Sequence, residues 1–291
     1  EPVYPSPEGT IKYLVKLESG SMIEMVRIPE KKRMTLCISS QAGCALQCTF
    51  CATGAQGFET NLTPDEIIGQ LWLANFYHEE QPPITYVVFM GMGEPLLNFE
   101  PVIESAKLMK EQLAYGLSRK RITISTSGIT PQIDKLSDEI DVSLAISLHA
   151  PTNEFRDEIV PINKKYPISN LINSCNKYIK NYDGKRSITI EYILIDGIND
   201  SEELAKKLAK LLSNISCKIN LIPFNPFEGS NYKRSETKTI ENFKKILMDK
   251  GFITTLRVTR GDAIDGACGQ LVGKLNKSIK GKKLIPHKLI S

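Results

Sequence analysis

Three cysteines crowd into eight residues of this chain. The segment GCALQCTFC puts Cys44, Cys48 and Cys51 at the spacing C-x3-C-x2-C. Thiolates are the soft ligands that iron–sulfur clusters take. Three of them on a four-iron cube leave one iron open, and an open metal position can bind a reactant, as it does in catalytic zinc sites. Two plainer readings stand beside this one: a zinc site whose fourth ligand lies elsewhere, and chance. Seven cysteines is an odd count in a chain of 291 residues. A chain of that length does not need disulfide staples, so the clustering argues for metal or redox chemistry.

Other groups able to do chemistry fall at the ends of apolar runs. FMGMGEP carries Gly91 and Gly93, which let backbone approach a ligand closely, and Glu94, a candidate acceptor for an amino group. SLHAP carries Ser147, Leu148 and His149, with Ser147 and His149 pointing the same way by strand alternation. Ser125 ends a third run, and Asn225 sits between two prolines in PFNPF. Cys268 lies in the glycine-rich RGDAIDGACGQL, whereas Cys37 falls on the polar face of a strand. For each of these a purely structural role is the alternative: a tight turn, a satisfied core histidine, a rigid proline bend, or a disulfide. Cys175 and Cys217 lie among apolar residues and read as inert core thiols.

The elements that must position these groups alternate along the chain. Strand patterns at 34–39, 84–91, 121–128, 141–149, 187–195, 217–225 and 253–259 are interleaved with helical patterns at 63–79, 98–115, 131–138, 168–181, 201–213 and 236–250. The first of these helices opens with Thr63 as N-cap, Pro64 and Glu66, a capping box. Repeated βα units imply a parallel sheet with right-handed crossovers. Seven strand candidates fall short of a closed eightfold barrel. The expected fold is therefore α/β, an open partial (β/α)6 barrel, with a doubly wound sheet as the alternative. Thr35/Cys37/Ser39, Thr123/Ser125/Ser127 and Ser143/Ala145/Ser147/His149 each give a strand one small polar face, which predicts a lumen holding a polar ligand. Residues 1–32 are expected to form an N-terminal β arm turning at ESGS, 33–275 the core, and 276–291 a basic tail.

Net charge is only +4, yet Lys274–Ser291 holds six lysines and no acid. Basic runs also occur at Lys31–Arg33, Arg119–Arg121 and Lys164–Lys165. These are either solvated surface or an RNA footprint. No apolar run is long enough to span a bilayer and the first residues lack a signal-peptide layout, so a cytoplasmic protein with no membrane partner is expected.

The cysteine spacing followed by βα units resembles the radical S-adenosylmethionine (SAM) superfamily from about Thr35 to Arg260. At closer range SSQAGCALQCTFCATGAQGF, GMGEPLLN, SLHAP, PFNPF and GDAIDGACGQL resemble the dual-specificity ribosomal-RNA and transfer-RNA adenine carbon-2 methyltransferases. The carbon-8 methyltransferases are the nearest alternative, and PLLN with GCALQC favours the carbon-2 branch. A radical SAM activase is a further alternative, but it would need neither Cys37 nor Cys268. Two departures stand out. The family usually carries a helical domain ahead of this core, and its loop usually has Asp and Ala where Ala263 and Gly266 stand.

The resemblance implies roles residue by residue. Cys44, Cys48 and Cys51 would hold a [4Fe-4S] cluster. Gly93, Glu94, Ser125, Ser147, Leu148, His149 and Asn225 would bind SAM, with two molecules used per turnover. Cys268 would carry the methyl, Cys37 would resolve the covalent adduct by forming a disulfide with it, and Glu24 would accept a proton. From its surroundings in SMIEMVRIP alone, Glu24 reads as an exposed strand carboxylate. The implied partners are 23S rRNA, tRNA and a reductant such as flavodoxin or ferredoxin, acting on a monomer.

Overall fold

A computed structural model describes residues 6–77, 82–182, 186–257, 261 and 264–273. The basic tail expected at 276–291 lies outside the described residues. In chain order the elements are β1 (Ile11–Lys16), β2 (Met22–Glu30), β3 (Arg33–Cys37), β4 (Gln41–Gly43), α1 (Ala52–Gln56), β5 (Phe58–Asn61) and α2 (Pro64–Phe76). These are followed by β6 (Tyr86–Phe89), α3 (Phe99–Lys110), β7 (Ile122–Thr126), α4 (Thr130–Glu139), β8 (Ser143–Ser147), α5 (Asn153–Ile159) and α6 (Ile168–Lys180). Last come β9 (Ile188–Leu194), α7 (Glu202–Leu212), β10 (Cys217–Pro223), α8 (Thr237–Asp249) and β11 (Thr254–Leu256).

One nine-stranded sheet runs in the order β1-β2-β3-β6-β7-β8-β9-β10-β11. From β3 to β11 every neighbouring pair is parallel, as the βα alternation requires. The N-terminal hairpin is antiparallel and continues the same sheet through β2 on β3. The helices bury one stripe each: α7, for example, buries Leu204, Ala205, Leu208, Ala209 and Leu212 and turns its lysines to solvent. The expected capping box of α2 is present, with Thr63 Oγ1 accepting from the Glu66 amide and Glu66 Oε2 accepting from the Thr63 amide.

The sheet curls. A cavity of about 560 Å³ is walled by Thr35 of β3, Val88 of β6, Thr123 of β7, Ala145 of β8, Glu191 of β9, Asn220 of β10 and Thr255 of β11. Side chains from both margins of the parallel sheet thus face one space, which is the geometry of an open barrel and not of a flat doubly wound sheet. The alternating leucines and isoleucines, such as Leu36, Ile124 and Leu144, point outward under the helices and are buried there. Three features escaped the sequence reading: the β4–β5 hairpin, the five-residue α1 and the seven-residue α5. All are shorter than the windows in which periodicity can be read.

Candidate active site

Backbone bonds run through the segment from Cys44 to Thr53. The Cys44 amide donates to Gly57 O at 2.8 Å, and the Cys51 amide donates to Cys48 O at 3.1 Å. Gly43 has φ +70, and a Cβ there would fall 1.9 Å from Gly57 O, so only glycine permits this crossing. All three cysteines line a second cavity of about 120 Å³ above the lumen. Burial pushes the Cys44 thiol up to about 12 and raises Cys48 as well. Without a metal these thiols hold their protons; coordination removes them.

The other walls of this cavity come from the C-terminal ends of the strands: Gly91, Gly93 and Glu94 after β6, Ser125–Ser127 at β7, Ser147 and His149 at β8. Gly93 has φ +96, and a Cβ there would meet Gln41 Cβ at 2.5 Å. Glu94 is buried; its Oε1 accepts from the Leu96 amide at 3.1 Å and its Oε2 from the Ser127 amide at 2.8 Å. Burial raises its pKa, and those hydrogen bonds oppose the rise. His149 adopts φ 61, a left-handed conformation rare outside glycine. Its Nδ1 accepts from the Ile193 amide at 3.0 Å, and burial together with the Arg156 charge lowers its pKa to about 3, so the ring is neutral. Leu148 is buried behind the wall and does not line the cavity.

Cys268 stands where the two cavities meet and lines both, whereas Cys37 lines the larger one. The loop carrying Cys268 is docked directly on the cysteine segment: the Ala52 amide donates to Gly269 O at 2.7 Å and Thr53 Oγ1 to Leu271 O at 2.6 Å. Asn225 Nδ2 donates to Cys268 O at 3.1 Å. All seven cysteines are free thiols. Burial pushes Cys37 up to about 12 and raises Cys268, and the half-buried Arg257 guanidinium opposes both shifts. Cys175 and Cys217 line neither cavity; Cys175 is buried and Cys217 half-buried.

Glu24 corrects the sequence reading. It is not exposed but 1% accessible, paired at 3.1 Å with Lys12, itself 4% accessible. Strand pairing sets Glu24 opposite Leu14 and Lys12 opposite Val26, and the Cys268 loop bonds to both charged residues. Lys12 Nζ donates to Asp265 O at 3.3 Å, and Glu24 Oε2 accepts from the Val272 amide at 3.0 Å. The ion pair thus grips the loop on both sides of Cys268. Glu24 lines neither cavity.

The sequence reading also passed over Lys12, Arg156, Arg257 and Glu191. Glu191 faces the lumen and accepts from Asn220 Nδ2 at 2.8 Å. A single carboxylate inside the apolar run SITIEYILI was the available signal. The basic runs Lys31–Arg33 and Arg119–Arg121 are exposed, and Arg33 and Arg121 both stack on Tyr86, 5.4 and 5.8 Å from its ring centroid. Tyr86 begins β6, at the opposite end of the strands from the cysteines.

Among the described residues no three His, Cys, Asp or Glu side chains meet closely enough to hold a single metal ion. A four-iron cube takes each thiolate on a different iron, so its ligands surround a space and do not converge on a point. Three thiols around one cavity are that donor set, and they fit a [4Fe-4S] cluster.

The family model for the radical SAM superfamily matches residues 38–209. A dual-specificity RNA methyltransferase RlmN from Pseudomonas entomophila is 55% identical over 276 residues, covering 93% of this chain and 73% of the relative. The chain belongs to this family of radical SAM enzymes. An RlmN from Marinobacter nauticus is 52% identical over 93% of this chain and 74% of its own length. The crystal structure of a radical SAM methyltransferase from Sphaerobacter thermophilus superposes with a TM-score of 0.90 at 41% identity, covering 94% of this chain and 81% of that one. Family membership brings SAM and a [4Fe-4S] cluster as cofactors. Among the described residues no helix is long and apolar enough to cross a membrane.

Proposed function

We propose that this chain methylates carbon-2 of adenosine in RNA, in both 23S rRNA and tRNA, through a methyl group carried on Cys268. The observation that carries the reading is the position of Cys268. It lies between a cavity walled by Cys44, Cys48 and Cys51 and a lumen walled by Cys37. Carbon-2 of adenine is electron-poor and has no lone pair with which to attack a sulfonium methyl, so direct polar transfer fails.

Cys44, Cys48 and Cys51 would hold the cluster, which when bound would supply the electron that opens SAM to radical chemistry. The rest of the work falls to the protein's own groups. Gly93, Glu94, Ser125, Ser147 and His149 wall the cysteine cavity where SAM would bind; Leu148 lies behind that wall, and Asn225 holds the Cys268 carbonyl from the side of the larger cavity. Cys268, as thiolate, takes a methyl from one SAM, and the Arg257 charge favours that thiolate. The cysteine-borne methyl would give up a hydrogen atom to the fragment released from a second SAM, and the resulting methylene radical on Cys268 would add to carbon-2 and link protein to RNA. Glu24 would accept the carbon-2 proton, with the adduct's unpaired electron returning to the oxidised cluster. Its carboxylate lies outside both cavities, bound to Lys12 and the Val272 amide, so those bonds must break before it takes that proton. Cys37, as thiolate, then attacks the Cys268 sulfur; the carbon–sulfur bond breaks, the released methylene carbon takes a proton to become the product methyl, and a disulfide is left for a reductant such as flavodoxin or ferredoxin to restore. The catalytic unit is a monomer working in the cytoplasm, with residues 33–275 as its core.

The deciding experiment is mass spectrometry of digested rRNA and tRNA after incubation with reconstituted protein, SAM and reductant. Methyl on carbon-2 supports the reading. Methyl on carbon-8, or none on RNA with free deoxyadenosine accumulating, overturns it.

A further inference from the structure

Arg156 is a charged residue with 0% exposure, set in the short helix α5 on the same side as Ile159. Its guanidinium spends its donors on neutral oxygens. Nε donates to Leu148 O at 2.9 Å, Nη1 to Asn163 Oδ1 at 2.9 Å, and Nη2 to Ser127 O at 2.6 Å and Ser147 O at 3.1 Å. Three of these four acceptors are backbone carbonyls at the ends of β7 and β8, where the walls of the cysteine cavity begin. The same helix touches the cysteine segment directly, because Ile159 O accepts from the Thr49 amide at 3.2 Å, between Cys48 and Cys51. The helix therefore joins the strand ends to the cysteine segment, with one buried positive charge at the junction.

A buried charge is costly unless an opposite charge answers it. Asp157 does not touch the guanidinium. It is one step removed, its Oδ1 accepting from Asn163 Nδ2 at 2.6 Å. Burial lowers the pKa of Arg156 only to about 10, so it is charged at neutral pH, and it lies beside the cysteine cavity, since Ser127 and Ser147, whose carbonyls it holds, line that cavity with Cys48. Three thiolates on a four-iron cube carry net negative charge in either oxidation state, and reduction adds one more. A nearby fixed cation favours the reduced form.

We propose that Arg156 is a positioning residue that locks the ends of β7 and β8 and, through its charge, raises the reduction potential of the cluster held by Cys44, Cys48 and Cys51. This rests on the radical SAM reading above. The anion that Arg156 answers is the cluster with its thiolates, and its carbonyl bonds keep the wall formed by Ser127 and Ser147 in register.

The test is a redox titration of anaerobically reconstituted protein, followed by the electron paramagnetic resonance signal of the reduced cluster, with iron content and SAM affinity measured alongside. Arg156→Gln removes the charge, and Arg156→Lys keeps it while losing most of the fork. The exchange Asp157→Asn/Asn163→Asp keeps Arg156 and the net charge but brings the carboxylate against the guanidinium. Arg156→Gln and the exchange variant are expected to titrate at more negative potential than wild type, and Arg156→Lys near wild type but with SAM binding weakened severalfold. Should Arg156→Gln fail to take up iron, the exchange variant decides. Wild-type potential in the exchange variant, or equal shifts in the Gln and Lys variants, overturns the proposal. A wild-type protein that takes up no iron overturns the radical SAM reading itself.

Discussion

Replacing Lys12 by Met tests whether the Lys12–Glu24 pair is what holds the Cys268 loop. Both side chains are inaccessible, at 4% and 1%, and 3.1 Å apart. Removing one member of such a pair leaves the other charge buried and unanswered, at about 3–5 kcal/mol. At roughly 2–4 °C per kcal/mol for a large domain, the melting midpoint should fall by about 6–20 °C at neutral pH. The pH dependence has a definite sign. Burial raises the pKa of Glu24, and Lys12 is the leading group opposing that rise. A carboxyl whose folded pKa is raised contributes stability below its unfolded value and loses it as pH climbs through the folded value. In Lys12→Met the folded value climbs further, so the penalty should be greatest at neutral pH and shrink on acidification toward about pH 5. The double variant Lys12→Met/Glu24→Gln has no buried charge, and Gln still accepts from the Val272 amide. It should recover all but about 1 kcal/mol, the bond lost at Asp265 O. Anaerobic thermal melts of wild type and both variants at several pH values, with hydrogen exchange at the Val272 amide, make the measurement. A double variant as unstable as the single one, or a penalty that does not shrink with acid, would refute the reasoning.

Other expectations are simpler to read. Cys44→Ala, Cys48→Ala and Cys51→Ala should each lose the cluster and SAM cleavage; iron analysis finding about four irons per chain in any of them sinks the ligand assignment. Peptide mass spectrometry of the purified protein should find the methyl on Cys268, not on Cys175 or Cys217. Cys37→Ala should trap a covalent protein–RNA adduct, seen as a slow, nuclease-sensitive band on a denaturing gel and absent when Cys268 is also Ala; normal turnover instead would make Cys37 structural. RNA affinity should weaken with salt as phosphate counterions are displaced, and deleting residues 276–291 should flatten that slope if the tail contacts RNA.

The parallel order of elements was legible in the sequence because βα units leave two strong periods, two in the strands and 3.6 in the helices. The cysteine triplet was legible because its ligands are local, all within eight residues. The polar strand faces announced a lumen before any coordinate did, since alternation alone decides which residues share a side. The closeness of Cys268 to the triplet was not legible, because it depends on two hydrogen bonds spanning more than two hundred residues, from Ala52 and Thr53 to Gly269 and Leu271. Glu24 was misread as exposed for the same reason: a strand pattern states which residues share a face, not what later folds over that face. Arg156 shows the limit most plainly. Its type suggests a surface helix, and only the tertiary structure brings the ends of β7 and β8 to its guanidinium, so that their carbonyls take the place of water.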